Sequence, residues 1–183
     1  MASALLQESR TVSGNQPAMR RINEKAGQTF LSGVPLMIDL AVGALQEWDG
    51  ATIALGIAGV AKEFGANLAV TGTAQQQSFG SVQNEASAKN FSRPYFNDGQ
   101  TGIIVANDDT VFRGQVGPAQ TVAATDVGKQ YGMTKDADGH WYVDRTKTTV
   151  GTNTVVVVVG LDQYDTTRGV FFKFIKAVQQ LAQ

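Results

Sequence analysis

Residues 153–161 read NTVVVVVGL, and the five consecutive valines of this stretch decide the fold class. β-branched residues favour strands, and a run without alternation predicts a strand that is buried on both faces. An uncharged run of this kind is prone to aggregation when it lies at the edge of a sheet. We therefore expect this strand to lie inside a sheet or to pair across a subunit boundary.

Short strand patterns continue outward from the valine run, with turn residues between them. Strands that recur about every 8–12 residues are typical of a sandwich or a barrel. The sequence therefore predicts an all-β domain, a small barrel or sandwich of short antiparallel strands. The other predicted strands are Gln28–Leu31, Val34–Leu40, Leu45–Trp48, Thr52–Val60, Thr101–Ala106, Thr110–Val116, Tyr131–Thr134, His140–Asp144 and Gly169–Lys176.

Three local features refine this pattern. Asp49-Gly50 lies between apolar runs and predicts a hairpin turn, because Asp-Gly accommodates a positive φ. Ala51–Phe64 fits either a strand or a short helix. The last strand is expected to continue into a short helix toward Gln183.

Two segments lack strong strand patterning. Residues 1–22 are polar and predict an extended N-terminal arm, which either frays or becomes ordered on a partner, ahead of a single β-rich domain over 23–183. Residues 65–100 are rich in small and polar residues and predict a long irregular excursion. Its aromatic side chains either pack onto the parent domain or contact a partner.

The composition excludes several classes of function. The 183 residues carry a formal net charge of −1, so the chain lacks the basic surplus with which nucleic-acid binders contact phosphates. There is no cysteine, which removes disulfides, thiolate zinc sites and cysteine nucleophiles. His140 is the one histidine, so sites that need two histidines from one chain are excluded as well.

No known catalytic motif stands out. The chain has no GxSxG elbow and no phosphate-binding loop with its lysine, and His140 lies before Trp141 on a predicted strand beside a turn. The run Asp136-Ala-Asp138-Gly139 begins like a calcium loop but lacks the later bidentate glutamate. We therefore interpret these acids, with Asp108 and Asp109, as turn residues. We expect no enzyme activity, no cofactor and no metal.

The chain shows no targeting or membrane segment. Its first residues lack a basic start with a sustained apolar stretch, and its apolar runs are too short to span a bilayer. We therefore expect synthesis in a cytoplasm and no membrane partner.

Several segments, taken in order, resemble the head decoration, or cement, proteins of tailed bacteriophages. The resemblance runs from about Ala26 to Ile175 and lies in the order and spacing of the segments rather than in one motif. It is strongest over Asn107–Val116, Val127–Asp144 and Val155–Phe174. The segments are GQTFLSGVPLMID, LGIAGVAKEFG, NDGQTGIIVANDDTVFRGQV, DVGKQYGMTKDADGHWYVDRTKT and VVVVVGLDQYDTTRGVFFKF.

The resemblance implies a structural virion protein. Such proteins are β-rich, commonly trimeric, and bind the outer face of the capsid at three-fold or quasi-three-fold positions. They stabilise the shell against the pressure of packaged DNA. The expected partners are then the major capsid protein and two further copies of the chain. The long excursion and the longer arm depart from the smallest members, so the resemblance assigns no particular capsid contact.

The arm and the excursion are the expected contact regions, because they carry functional residue types without core patterning. An alternative hypothesis is a carbohydrate-binding module or virion hydrolase, which would use Trp48, Trp141, Tyr142 and the acids of the two turns. A tail or head-fibre adaptor is a third possibility. The candidate capsid or subunit contacts are Arg10, Arg20, Arg21, Phe91, Tyr95 and Phe96.

Overall fold

The computed structural model describes residues 6–51, 53–63, 65–67 and 100–181. These ranges form antiparallel sheets and no α-helix, which confirms the predicted all-β class, with the sandwich rather than a closed barrel. No helix within them is long and apolar enough to cross a membrane. The strands are β1 (Gln7–Thr11), β2 (Met19–Asn23), β3 (Gln28–Phe30), β4 (Pro35–Asp39), β5 (Ala44–Glu47), β6 (Gly59–Ala61), β7 (Gly65–Asn67), β8 (Gln100–Val105), β9 (Thr110–Gln115), β10 (Gln130–Lys135), β11 (Trp141–Asp144), β12 (Val156–Leu161) and β13 (Gly169–Phe174).

The strands form two main sheets and one small one. The six-stranded sheet has the order β1-β9-β13-β12-β10-β11, and the five-stranded sheet has the order β2-β8-β6-β4-β5. A third sheet pairs β3 with β7. The pairings between these strands are antiparallel.

One five-strand arrangement occurs twice. We call β2, β4, β5, β6 and β8 the first unit, and β9 to β13 the second unit. We number the five strands of each unit in chain order. In both units the first strand pairs with the fifth, and the fifth also pairs with the fourth. The fourth strand then pairs with the second, and the second with the third. The strand β1 then extends the second unit beside β9.

Backbone hydrogen bonds repeat at equivalent positions of the two units. Ala58 donates its N–H to Leu36 O over 2.7 Å, and Val155 donates to Tyr131 O over 2.9 Å. In both cases the donor precedes the fourth strand and the acceptor lies on the second. The units therefore share their pairing register as well as their strand order.

A glycine with positive φ precedes the second strand of each unit. Gly33 has φ 75° and donates to Ala61 O, while Gly128 has φ 86° and donates to Val158 O. Only glycine adopts this left-handed backbone at little cost. Each unit also has one isolated parallel bridge between the end of its first strand and its third strand, Glu24 with Leu45 and Val116 with Val143.

The two units share one hydrophobic core, to which their buried side chains contribute. Within the second unit, the rings of Phe112, Phe172 and Phe174 lie with centroids 5.3–5.9 Å apart. Between the units, the ring centroids of Trp48 and Trp141 are 4.9 Å apart. The core thus continues across the junction.

The valine run lies where the sequence predicts it. β12 lies between β13 and β10, inside the larger sheet. The prediction that this strand is buried on both faces is correct for one face only. Val156 and Val158 are buried, whereas Val157 and Val159 are half-buried. Alternate residues of a strand face opposite sides, and only one side of β12 faces the shared core.

The hairpin predicted at Asp49-Gly50 is wrong. Gly50 does have a positive φ of 77°, but β5 pairs with β4, and β6 pairs with the other side of β4. Within the predicted strand Thr52–Val60, only residues 59 and 60 belong to β6, and the described part of Ala51–Phe64 contains no helix. Gly59 permits the close pairing with β8, because a Cβ there would overlap Ile104 O.

The N-terminal segment differs from the predicted free arm. It is extended, but β1 pairs with β9 and β2 pairs with β8, so the boundary predicted after residue 22 falls inside β2. Leu6 is buried, because it packs beside Gly114 of β9. At the other end, the expected C-terminal helix is one 3-10 turn over Lys176–Val178.

Candidate functional site

The acids of the first candidate turn hold loops together. Asn107 Oδ1 accepts the Asp109 N–H, and Asp108 Oδ1 accepts the Gln179 side-chain amide over 3.0 Å. Asp109 accepts the Ser13 hydroxyl over 2.6 Å and the Ser13 N–H over 2.7 Å. These two hydrogen bonds lower the pKa of Asp109. The predicted turn is confirmed, and its carboxylates fasten the N-terminal and C-terminal segments.

The second candidate turn brings one possible ligand atom from each of Asp136, Asp138 and His140 within 4.8 Å of the others. Asp136 Oδ1 accepts the N–H groups of Asp138, over 3.0 Å, and His140, over 2.8 Å. The hydrogen bond from His140 lowers the pKa of Asp136. Calcium takes six to eight oxygens, and this group offers three ligand atoms. Its geometry is that of an Asx turn, as the sequence predicts.

A buried carboxylate that the sequence did not single out lies on β11. Asp144 accepts hydrogen bonds from the side chains of Gln120, Thr134 and Thr146, over 3.0, 2.8 and 2.7 Å. Burial opposes ionisation, but these bonds outweigh it and lower the pKa of Asp144 to about 2. Asp144 is therefore a fixed anion that ties neighbouring chain segments together.

A second buried carboxylate is held in the same way. Asp126 accepts hydrogen bonds from Tyr131 Oη over 2.6 Å, from Ala123 N over 2.7 Å and from Arg145 Nη2 over 2.9 Å. Burial by itself raises the pKa of Asp126, but these three hydrogen bonds outweigh it, so the pKa is lowered. This arrangement anchors loops.

The tryptophans of the carbohydrate hypothesis belong to the core. Trp48 and Trp141 are only 3% and 4% exposed, so neither ring offers a face to a sugar. Trp141 Nε1 donates to Glu47 Oε1 over 2.7 Å, and Lys135 pairs with the same carboxylate. The two tryptophans that lent support to sugar binding instead join the two units.

The arginines of the predicted contact region lie on two outer strands. Arg10 lies on β1, with its guanidinium 5.9 Å from the centroid of the Phe171 ring. Arg20 and Arg21 lie on β2, in the other main sheet, and point to opposite faces because they are consecutive. Arg21 forms an ion pair with Glu63 at 3.2 Å. The structure thus distributes these residues over both sheets.

The other predicted contacts, Phe91, Tyr95 and Phe96, lie outside the described residues. Sequence reasoning also missed a set of exposed apolar side chains. The one sequence signal for such side chains was Leu40 and Val42, which stand on either side of Ala41 in a turn that ends at Gly43. Within the described ranges, the large apolar residues that are exposed are Val12, Met19, Leu40, Val42, Leu55, Val127, Val150 and Tyr164.

Leu40 and Val42 lie in the turn of the β4–β5 hairpin and are 82% and 61% exposed. Leu55 is 53% exposed and has φ 50°, the one positive φ among the described residues other than glycine. A left-handed backbone costs a leucine about 1–2 kcal/mol, and such strain clusters at functional sites. Three apolar side chains are thus held in water, one of them at a conformational cost.

The described surface therefore combines arginines on outer strands with apolar side chains on turns. Arginine is enriched at protein–protein interfaces, and exposed apolar patches often mark interaction sites. The acids of the two candidate turns accept hydrogen bonds from neighbouring chain segments. Comparison of the chain with protein-family models, curated proteins and solved structures found no match.

Proposed function

We propose that the chain is a structural virion protein that binds the outer surface of a phage capsid and stabilises the shell. The observation that carries the proposal is the pair of outer strands β1 and β2, on which the N-terminal segment displays arginines on both sheets. The order of segments that resembles the cement proteins supplies the class of partner, the major capsid protein. The alternative of a tail or head-fibre adaptor shares this surface.

The mechanism is mass action. A protein that binds the assembled shell and not its dissociated subunits shifts the equilibrium toward the shell. A homotrimer at a three-fold position makes three linked contacts, so each contact needs only modest affinity. The place of action is the outer capsid surface of the virion, after synthesis in the host cytoplasm.

The experiment uses purified wild-type chain and undecorated capsids of the encoding phage. Light scattering after size exclusion measures the oligomeric state, cosedimentation measures binding, and thermal disruption of the capsids measures protection. We expect a trimer that cosediments with capsids and raises their disruption temperature. A chain that neither binds nor protects them would contradict the proposal.

The contact residues are tested by an Arg10→Ala/Arg20→Ala variant. Deletion of residues 1–22 is a poor test, because it removes β1 and part of β2 together with the arginines. The point variant keeps both strands and should weaken capsid binding about tenfold or more. Lys129→Ala is the matched control, since Lys129 is an exposed cation remote from β1 and β2 in the sheet order. Equal binding by all three proteins would remove the arginines from the interface.

A further inference from the structure

We propose that Leu40, Val42 and Leu55, which we call the apolar end, insert into an apolar pocket of the capsid protein. This inference rests on the proposed function and names the contact chemistry. Leu40 and Val42 are held at the tip of the β4–β5 hairpin, and Leu55 lies in the connection from β5 to β6.

The second unit provides an internal comparison for the hairpin tip. The β4–β5 turn begins at Asp39, whose Oδ1 accepts the Ala41 N–H over 2.9 Å, and ends at Gly43 with φ 67°. The equivalent β10–β11 turn begins at Asp136, whose Oδ1 accepts the N–H two residues later, and has φ 89° at Gly139. Both turns thus use the same means to reverse the chain.

The exposed tips of the two hairpins nevertheless differ in chemistry. The second unit carries Ala137 and Asp138, which are ordinary residues for a solvated turn. The first unit carries Leu40 and Val42 instead. The β10–β11 turn shows that the fold forms this turn without large apolar side chains. We therefore attribute Leu40 and Val42 to a contact with another molecule.

Leu55 shows the same contrast. In the connection from the third to the fourth strand of the second unit, the positive φ falls on a glycine, Gly151, with φ 76°. The matching connection of the first unit also has a glycine with positive φ, Gly50 with φ 77°, but it adds a second positive φ, 50°, on Leu55, whose side chain is exposed. A glycine there would relieve the backbone, so the leucine side chain has a role that offsets the strain.

The elements that carry these side chains contact the same C-terminal stretch. Leu55 donates its N–H to Ala177 O over 3.1 Å, and the Gln180 side chain makes two hydrogen bonds with the backbone of Ile38, the residue before Asp39. Ala177 and Gln180 are three positions apart, which is at most about 10 Å of chain, so one short C-terminal stretch contacts both elements.

Charge argues for a protein pocket rather than a lipid surface. Beside the tip, Lys25 pairs with Asp39 at 2.7 Å, which leaves no net charge there. Lys176 is the exposed cation of the adjoining C-terminal stretch. Anionic membranes attract clusters of about four to eight basic residues, and this end does not offer such a cluster within the described residues.

Area and shape argue against a second copy of the chain. A stable interface buries about 800 Å² per partner, more than three side chains provide. A hairpin tip projects, so its partner must be concave. Apolar side chains that insert into a pocket are typical of the small clusters that dominate binding energy. Such a small contact is sufficient on each chain when three linked copies bind the capsid together.

The test compares wild type with Leu40→Asp/Val42→Asp in binding to undecorated capsids, with circular dichroism and thermal unfolding as checks of the fold. We expect unchanged unfolding and capsid affinity reduced about tenfold or more. Val150→Asp is the matched control, because Val150 is an exposed valine of the second unit, and it should bind as wild type does. Equal capsid binding by wild type and the double variant overturns the inference and leaves the proposed function intact.

A second variant guards against a purely structural effect. Leu55→Gly removes the side chain and the strain together, so we expect weaker capsid binding with a melting temperature that does not fall. If the wild-type chain does not bind capsids, that result overturns both the proposed function and the inference. Tip-dependent binding to phosphatidylserine vesicles assigns the apolar end to lipid, and tip-dependent self-association assigns it to a second copy. Either result overturns the inference.

Discussion

Asp144 shows at the residue scale how this chain uses its acids. The carboxylate is buried and accepts hydrogen bonds from Gln120, Thr134 and Thr146, which hold the pKa near 2. Because the folded-state pKa lies below the ordinary value of 3.8, the ionised form stabilises the fold. That contribution is present above about pH 4 and is lost as the pH falls toward 2.

We expect Asp144→Asn to be less stable than wild type by about 2 kcal/mol at pH 7, which is the free energy of a shift of this size. The gap should close as the pH falls from 4 to 2, since wild type then loses the same contribution. Urea unfolding of both proteins at several pH values measures the gap. A gap that stays constant across that window would contradict the role assigned to the carboxylate.

At the scale of elements, β1 is the segment that local pattern reading misjudged. Its sequence is polar, and what holds it is pairing with β9 and the burial of Leu6 just before it. Leu6 packs so closely that its Cδ2 would lie 2.9 Å from a Cβ added to Gly114. The N-terminal segment therefore belongs to the fold of the second unit as well as to the proposed capsid contact.

Leu6→Ala should lower the free energy of unfolding by about 2–4 kcal/mol, because it leaves a cavity where a buried leucine stood. Denaturant unfolding followed by circular dichroism measures the loss. Leu40→Ala is the matched control, since Leu40 is 82% exposed and the same change there should stay within about 0.5 kcal/mol. Equal effects at the two leucines would mean that the N-terminal segment frays in solution.

For the whole molecule, the main feature is that two similar units share one core. Side chains from both units form a single hydrophobic cluster, and Trp48 of the first unit contacts Trp141 of the second. Glu47 reinforces this junction through Trp141 and Lys135. Neither unit keeps its buried surface if the other unfolds.

We therefore expect one cooperative unfolding transition. Tryptophan fluorescence reports on the junction, because both tryptophans lie there, and far-ultraviolet circular dichroism reports on all strands. The two signals should give the same midpoint in guanidinium chloride. Two separated midpoints would show that the units fold independently and that the shared core contributes little.

The amino-acid sequence alone predicted the fold class and most strand positions. The valine run of β12, the alternation in β13 and the Asp-rich turns at 107–109 and 136–139 are local signals, because side-chain periodicity and turn chemistry act over a few residues. Those signals also placed the acids of these segments in turns, where the structure has them. The capsid partner and the trimer stay predictions.

The order of the strands depended on contacts between distant residues, which no local pattern encodes. The repeated unit is hidden in the sequence because equivalent positions hold different residues, such as Leu36 and Tyr131 at the same backbone hydrogen bond. The hairpin expected at Asp49-Gly50 failed for the same reason, since β4 has β5 on one side and β6 on the other. The exposure of Leu40 and the positive φ of Leu55 likewise arise only when distant segments pack, because burial and backbone strain are properties of the assembled chain.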